Sequence, residues 1–247
     1  MLKIAIIEGP LRALGADEIL LVWRPLATTP AELGAFAATL TVAERAVAAR
    51  YHFQRDRDRS VVSRGTLRAV LARLLARPAA SLELIVGEYG KPALVAAELE
   101  INVSHADAHL LIGFSRARAL GVDVEGGGHA LDVDELAPTV FTPVERAELA
   151  RYAGAERREA FLRAWTRKEA YLKARAVGLS LPLTDFSVSL SADRDATLVS
   201  TVDPTEAARW QLVGLDAPAG YAAAVCWSRE AAPVRRIVIA TFDGQTG

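Results

Sequence analysis

Cysteine is nearly absent from this sequence: Cys226 stands alone among 247 residues. One thiol excludes an intrachain disulfide framework and any multi-cysteine zinc or iron–sulfur site. It fits a reducing cytoplasmic setting. No apolar run reaches the roughly 18 residues that a membrane-spanning helix needs. The stretch Met1–Glu8 lacks the length and small-residue cleavage pattern of a signal peptide, and reads as a first strand. Neither charge dominates, since 29 basic residues against 30 acidic give a net charge of -1. That excludes a broadly basic nucleic-acid coat and leaves room for a local basic patch. Lysine is scarce too: the basic residues are 25 arginines and only Lys3, Lys91, Lys168 and Lys173. What is present, 51% hydrophobic, 24% charged and 6% aromatic, is the composition of a soluble globular chain. The length allows one large domain or two small ones.

Short strands are expected at 4–7 and 20–23, and a helical region from Pro30 to about Arg77. Thr41 with Glu44 three residues on is a capping-box signature. From Arg50 to Arg77 eight arginines face only Asp56 and Asp58. This predicts a helix with one buried stripe and a basic side, which is a solvated face unless an anionic ligand lies nearby. Strands are expected at 82–86, 101–104, 110–114 and 119–125, with Gly90-Lys91-Pro92 as a turn and Gly126–Gly128 as a break. Helices follow at 132–136, 143–152 and 155–176, then strands at 186–190, 198–201, 211–213, 221–227 and 237–242. This order is α+β rather than a regular βαβ alternation. A boundary near residue 119 divides it into halves, 1–119 and 120–247, each with helices and a small, mainly antiparallel sheet.

Three clusters carry chemistry. In Gly121-Val122-Asp123-Val124-Glu125, strand alternation puts Asp123 and Glu125 on one face and Val122 and Val124 on the core side. Two such carboxylates are either a solvent-facing acidic strand end or hard oxygen ligands for Mg²⁺ or Mn²⁺. In Trp165-Thr166-Arg167-Lys168-Glu169-Ala170-Tyr171-Leu172-Lys173, Glu169 and Lys173 share a helix face. They are either a surface pair or a third carboxylate with a phosphate-binding lysine. In Asn102-Val103-Ser104-His105, a strand ends in two side chains that can donate to phosphate oxygens. No Gly-x-Ser-x-Gly elbow surrounds Ser104, which argues against a hydrolase nucleophile. His52, His109 and His129 have no partner pattern and read as structural or surface residues.

Taken together, GKP at 90–92, NVSH at 102–105, GVDVE at 121–125, FTPVE at 141–145, WTRKEAYLK at 165–173 and GLSLPL at 178–183 resemble one family. It is the 4′-phosphopantetheinyl transferases of the larger, surfactin-synthetase-activating type. The likeness covers about residues 90–190 well, and RYHFQRDRDRS at 50–60 more loosely. It implies a pseudo-dimer of two similar halves with coenzyme A in the cleft between them. It implies transfer of the phosphopantetheine arm to a serine of an apo acyl or peptidyl carrier protein, releasing adenosine 3′,5′-bisphosphate. Asp123, Glu125 and Glu169 would then hold Mg²⁺, with Mn²⁺ as a substitute, and Lys173 would touch the pyrophosphate. Lys91, Ser104 and His105 would bind coenzyme A phosphates, while Arg59 and Ser60 fall near the adenosine end. Glu169 is the candidate base for the serine hydroxyl, directly or through a metal-bound water. The chain departs from the family at two places. Where some members carry lysines, the segment 41–51 offers Glu44, Arg45 and Arg50, and Arg50 joins the expected coenzyme A contacts. Ala176 stands where the family often has a glycine. The expected protein is a cytoplasmic monomer that binds neither nucleic acid nor membrane. The competing readings are another Mg²⁺-dependent phosphodiesterase and an inactive coenzyme A-binding homologue.

Overall fold

Thr41 and Glu44 cap each other across a helix start, as their spacing predicts. Glu44 N–H donates to Thr41 Oγ1 at 3.2 Å, and Thr41 N–H to Glu44 Oε2 at 2.9 Å. The same device recurs at Thr29 with Glu32 and at Thr142 with Glu145. The structure is a computed structural model that describes residues 2–243 except 88–89, 97, 117, 127–130, 201–202, 204 and 232. The expected break at Gly127–Gly128 and the residue His129 thus lie outside the described residues.

The first part of the chain forms β1 (Lys3–Ile7), β2 (Glu18–Pro25), α1 (Pro30–Thr39), α2 (Val42–Ala49) and α3 (Gln54–Leu75). Then come β3 (Leu84–Val86), β4 (Pro92–Leu94), β5 (Glu100–Ala106), β6 (His109–Ser115) and β7 (Leu120–Gly126). Three helices follow, α4 (Val133–Val140), α5 (Pro143–Leu149) and α6 (Gly154–Arg175). The chain closes with β8 (Phe186–Val188), β9 (Leu198–Ser200), β10 (Trp210–Leu215), β11 (Tyr221–Ser228) and β12 (Arg236–Thr241). The mixed α+β class is as expected. One strand was not: β4 pairs with β3, so Gly90-Lys91-Pro92 leads into a small hairpin rather than turning toward β5.

The larger sheet has the order β1-β12-β2-β6-β5 and the smaller β10-β11-β7. The smaller is antiparallel throughout. The larger is mixed, which corrects the expectation of a mainly antiparallel sheet: β12 lies parallel to both β1 and β2. A strand that arrives from the far end of the chain is not bound by a tight hairpin, so parallel pairing is open to it.

Side-chain alternation explains how the layers stack. On one face of the larger sheet Leu20, Val22, Leu110, Ile112 and Val238 pack with Val62, Leu67, Val70, Leu71 and Leu74 of α3. On its other face Ile19, Leu21, Leu111 and Ile237 meet Val122, Val124, Val213 and Val225 of the smaller sheet. The far face of that sheet, with Leu212, Ala224 and Cys226, lies on Phe161, Ala164, Ala170 and Tyr171 of α6. The order is helix, sheet, sheet, helix, and both sheets are covered on both sides. Strands such as Glu18–Pro25 therefore read as continuous apolar runs rather than as alternating ones.

Candidate active site

β5 and β7 run side by side without a backbone ladder, and side chains of β5 take its place. Asn102 Oδ1 accepts from Val122 N–H at 2.9 Å, and Ser104 Oγ accepts from Val124 N–H at 3.4 Å. Two residues along β5 match two along β7, so the strands point the same way. This seam joins the two sheets, and it gives Asn102, quoted above without a role, a structural one.

Gly121 lets α6 close on this seam. A Cβ there would lie 2.1 Å from the Ala170 carbonyl oxygen and 2.3 Å from the Ala174 amide nitrogen. Without that side chain, α6 lies directly on β7 and brings Glu169 and Lys173 over the carboxylate face of the strand. Lys173 Nζ donates to Asp123 Oδ1 at 2.6 Å and to Ser104 Oγ at 3.0 Å, while Ser104 Oγ donates to Asp123 Oδ1 at 2.8 Å. Asp123 is 2% exposed, so the acidic strand face is not solvent-facing. Its Oδ2 is buried with no partner. An unpaired buried carboxylate oxygen is costly, which marks the spot as one made to meet a further group.

Charge is in excess here. Burial pushes the Glu125 carboxyl up, and neighbouring Asp123 and Glu169 add to it, bringing it to about 7. Burial and then Asp123 raise Glu169 as well, against the pull of Lys173. Burial raises Asp123, opposed by Lys173 and Ser104. Three carboxylates thus repel one another around one ammonium. Among the described residues no three His, Cys, Asp or Glu side chains form a ready metal cluster. The fit to a divalent cation is one of donor chemistry: hard oxygens, an orphaned lone pair and surplus negative charge.

This corner borders a cavity of about 860 Å³. Its far wall is one face of α3, with Asp56, Arg59, Ser60, Ser63, Arg64 and Leu67 at helical spacing. Glu44 and Tyr51 close one side, Lys91 and His105 another, and Glu169, Lys173 and Ala176 face α3 from α6. Burial lowers the His105 pKa first, and Lys173 and Arg59 lower it further, which favours the uncharged imidazole. Lys91 Nζ donates to Glu100 Oε2 at 3.0 Å and to the Leu120 carbonyl at 3.4 Å.

The structure therefore brings Arg59, Ser60, Lys91, His105, Glu169 and Lys173 to one cavity, with Ser104 and Asp123 directly behind Lys173. Arg50, exposed at the end of α2, is not among the lining residues. Lys168, in the same motif as Glu169, points the other way. It is fully buried, pairs with Glu145 at 2.7 Å, and donates to the Leu183 and Phe186 carbonyls at 2.6 and 2.8 Å. FTPVE and WTRKEAYLK thus meet inside the protein through that ion pair. His109 is structural, edge-on to Trp23 and Tyr221 at centroid distances of 6.4 and 4.6 Å.

Residues 119–226 match the family model described as the 4′-phosphopantetheinyl transferase superfamily. Residues 22–115 match the one described as 4′-phosphopantetheinyl transferase, N-terminal. Among individual proteins, the chain is 32% identical to the 4′-phosphopantetheinyl transferase HetI of Nostoc sp., over 77% of this chain and 82% of that one. It is 30% identical to the 4′-phosphopantetheinyl transferase psf-1 of Bacillus pumilus, over 81% and 83% of the two chains. With 4′-phosphopantetheinyl transferase Sfp of Bacillus subtilis the identity is 27%, over 72% and 77%. The chain belongs to the 4′-phosphopantetheinyl transferase family. It is accordingly a holo-carrier-protein synthase.

Proposed function

We propose that this protein moves the 4′-phosphopantetheine arm of coenzyme A onto a serine of an apo acyl or peptidyl carrier protein. The observation that carries the reading is the cavity itself. It is lined by Arg59, Arg64, Lys91 and Lys173, the last of them bonded to Asp123 and Ser104 behind it. In the reaction the serine Oγ bonds to the phosphorus that carries pantetheine, and the P–O bond to the other phosphate breaks. Adenosine 3′,5′-bisphosphate leaves.

The chain's own groups divide this work. Lys173, which lines the cavity, meets the diphosphate and holds it in line for attack. Phosphoryl transfer depends on such positioning and charge neutralisation more than on covalent help. His105 offers a hydrogen bond to a phosphate oxygen, and Arg59, Ser60 and Lys91 bind the rest of coenzyme A. Ser104, whose hydroxyl proton is spent on Asp123, holds Lys173 in place rather than meeting the phosphate expected of it. Glu169 takes the serine proton at a carboxylate oxygen, directly or through a water. Asp123, Glu125 and Glu169 would hold the Mg²⁺ ion, which when bound neutralises the diphosphate and stabilises the departing phosphate.

We read the architecture as two related halves meeting at 119/120, with the cleft between them as the active site. The two family models abut there, and each half lays one long helix on one sheet. β12 is the exception, a strand of the second half inserted in the sheet of the first. Among the described residues no helix is long and apolar enough to cross a membrane. A cleft built within one chain needs no second copy, and we take the protein to act as a cytoplasmic monomer.

Intact-mass measurement tests this reading. An apo carrier protein incubated with the enzyme, Mg²⁺ and coenzyme A should gain the mass of one phosphopantetheine. Coenzyme A cleavage without that gain would indicate a phosphodiesterase, and no change in either would indicate an inactive homologue.

A further inference from the structure

Glu206 lies outside every motif that marks the family, yet it is a buried carboxylate, 7% exposed. It opens the short 3₁₀ turn Glu206–Arg209 that leads into β10. Burying such a charge is costly unless several donors meet it. Here they do. Its Oε1 accepts from Trp210 Nε1 at 2.8 Å and from the Tyr171 hydroxyl at 3.4 Å, and lies 3.3 Å from Arg175 Nε. Its Oε2 accepts from Arg209 Nη1 at 3.4 Å. Tyr171 and Arg175 both belong to the end of α6, and Arg175 Nη1 also donates to the Tyr171 hydroxyl at 3.3 Å.

The same end of α6 carries Lys173 on its other side. At 3.6 residues per turn, Lys173 and Arg175 point in nearly opposite directions from the helix axis. Between those two flanks lie Ala170 and Ala174, whose backbone rests on Gly121 of β7. Two alanines on a glycine allow a close approach but supply no large side chain to interlock and stop the helix from rolling. The roll is therefore fixed at the flanks. On one, Lys173 bonds to Asp123 and Ser104; on the other, Arg175 and Tyr171 meet Glu206. Lys173 cannot hold the helix and serve a diphosphate with the same ammonium protons. The Glu206 flank takes no part in the chemistry and can hold throughout.

We propose that Glu206 is a positioning residue for the transfer: through Arg175 it sets the rotation of the end of α6, and so the place of the Lys173 ammonium. Misplacement by about 1 Å can cost a hundredfold in rate, so a small roll is enough to matter. This inference rests on the role given to Lys173 above.

Single-turnover rates of carrier-protein modification test it, with enzyme in excess, saturating coenzyme A and Mg²⁺, at a temperature where circular dichroism shows each variant folded. Glu206→Gln and Arg175→Gln should each slow transfer about tenfold, with the KM for coenzyme A little changed. Together they should be no slower than either alone, because both break one link; independent losses would multiply. In a Lys173→Ala background, adding Glu206→Gln should cost less than about twofold, since the group it positions is gone. Arg209→Ala removes an exposed arginine from the outer side of Glu206 and should match the wild type. If Glu206→Gln fails to fold, Arg175→Gln at the helix end decides. If Lys173→Ala transfers nothing, Lys173→Arg is the background. Unchanged rates in both single variants, or the same loss with and without Lys173, would overturn the role of Glu206 and leave the coenzyme A reading standing. A Lys173→Ala variant as fast as the wild type would overturn the role of Lys173, and a wild type that transfers no phosphopantetheine would overturn that reading itself.

Discussion

The two long helices that face each other across the cavity are alike in form and unlike in wiring. α3 and α6 are both 22 residues long, start without a side-chain cap, and end on a left-handed alanine, Ala76 at φ 51° and Ala176 at φ 52°. Each carries buried cations inward: Arg68 on α3, and Arg167 with Lys168 on α6. Their cavity faces differ. On α6, Lys173 is tied to Asp123 and Ser104 by bonds of 2.6 and 3.0 Å that cross to two strands. On α3, Arg59 has Asp56 at 3.9 Å and Arg64 has Glu44 at 3.6 Å, both loose. Rigid fixation suits groups that must meet a reacting phosphorus, since misplacement by about 1 Å can cost a hundredfold in rate. Looser arginines suit an anion that is only held. The α6 wall should therefore govern kcat and the α3 wall KM.

The strongest test of that division removes the charge balance at β7. Chelation of divalent ions should abolish carrier-protein modification, and Mg²⁺ or Mn²⁺ should restore it. Asp123→Asn should lose most turnover even at saturating coenzyme A. Full activity in excess chelator would sink the metal assignment. Next, Glu169→Gln keeps size and hydrogen bonding but removes basicity, and kcat should drop on the order of 10²-fold or more. A near-wild-type kcat would remove Glu169 from both the base and the metal roles. On the opposite wall, Arg59→Ala should raise the KM for coenzyme A about tenfold with kcat little changed. A fall in kcat as large as that of Glu169→Gln would erase the contrast between the helices.

Two smaller effects sharpen the comparison through stability. The Glu125 carboxyl is pushed up to about 7 in the folded protein, above the 4.5 of an ordinary glutamate. Between those values the folded state binds more protons than the unfolded one, so metal-free stability should decline as pH rises from about 4.5 to 7. Melting curves across that range should show the decline in the wild type and lose part of it in Glu125→Gln. Mg²⁺ should offset it near pH 7. A melting temperature of the metal-free protein that rises over this window would contradict the crowding of carboxylates. Ala176 holds a backbone conformation that costs an L-residue about 1–2 kcal/mol and a glycine almost none. After the entropy that glycine loses on folding, about 0.5–1 kcal/mol, Ala176→Gly should gain on the order of 0.5 kcal/mol. A lower melting temperature for that variant would refute the account of the cap.

Much of this was legible in the chain alone, for reasons that differ by element. Capping boxes are local, so Thr41 with Glu44 could be read from spacing and is present as read. The carboxylate face of β7 follows from strand period, and Glu169 over Lys173 from helix period. Local period cannot say what covers a face. Asp123 could be placed on a strand, but not 2% exposed under Lys173. Lys168 and Glu169 are neighbours in sequence, yet one is sealed against Glu145 and the other faces the cavity. The sequence points to Arg50 as a coenzyme A contact and leaves Arg64 as one of eight arginines between 50 and 77, yet the turn of α3 puts Arg64 in the cavity wall while Arg50 stays outside.

The sequence by itself determined the residue types that can do this chemistry, the helix and strand periods that group them, and the motifs that mark the family. Those depend on neighbours within a few residues, where geometry is set by bond rotation and capping. Tertiary structure alone decided the rest. It inserted β12 between β1 and β2, laid α6 on Gly121, replaced a backbone ladder with Asn102 and Ser104, and set Asp123 beneath Lys173. Each of those contacts joins segments far apart in the chain, and burial and charge pairing between such segments exist only once the layers have closed.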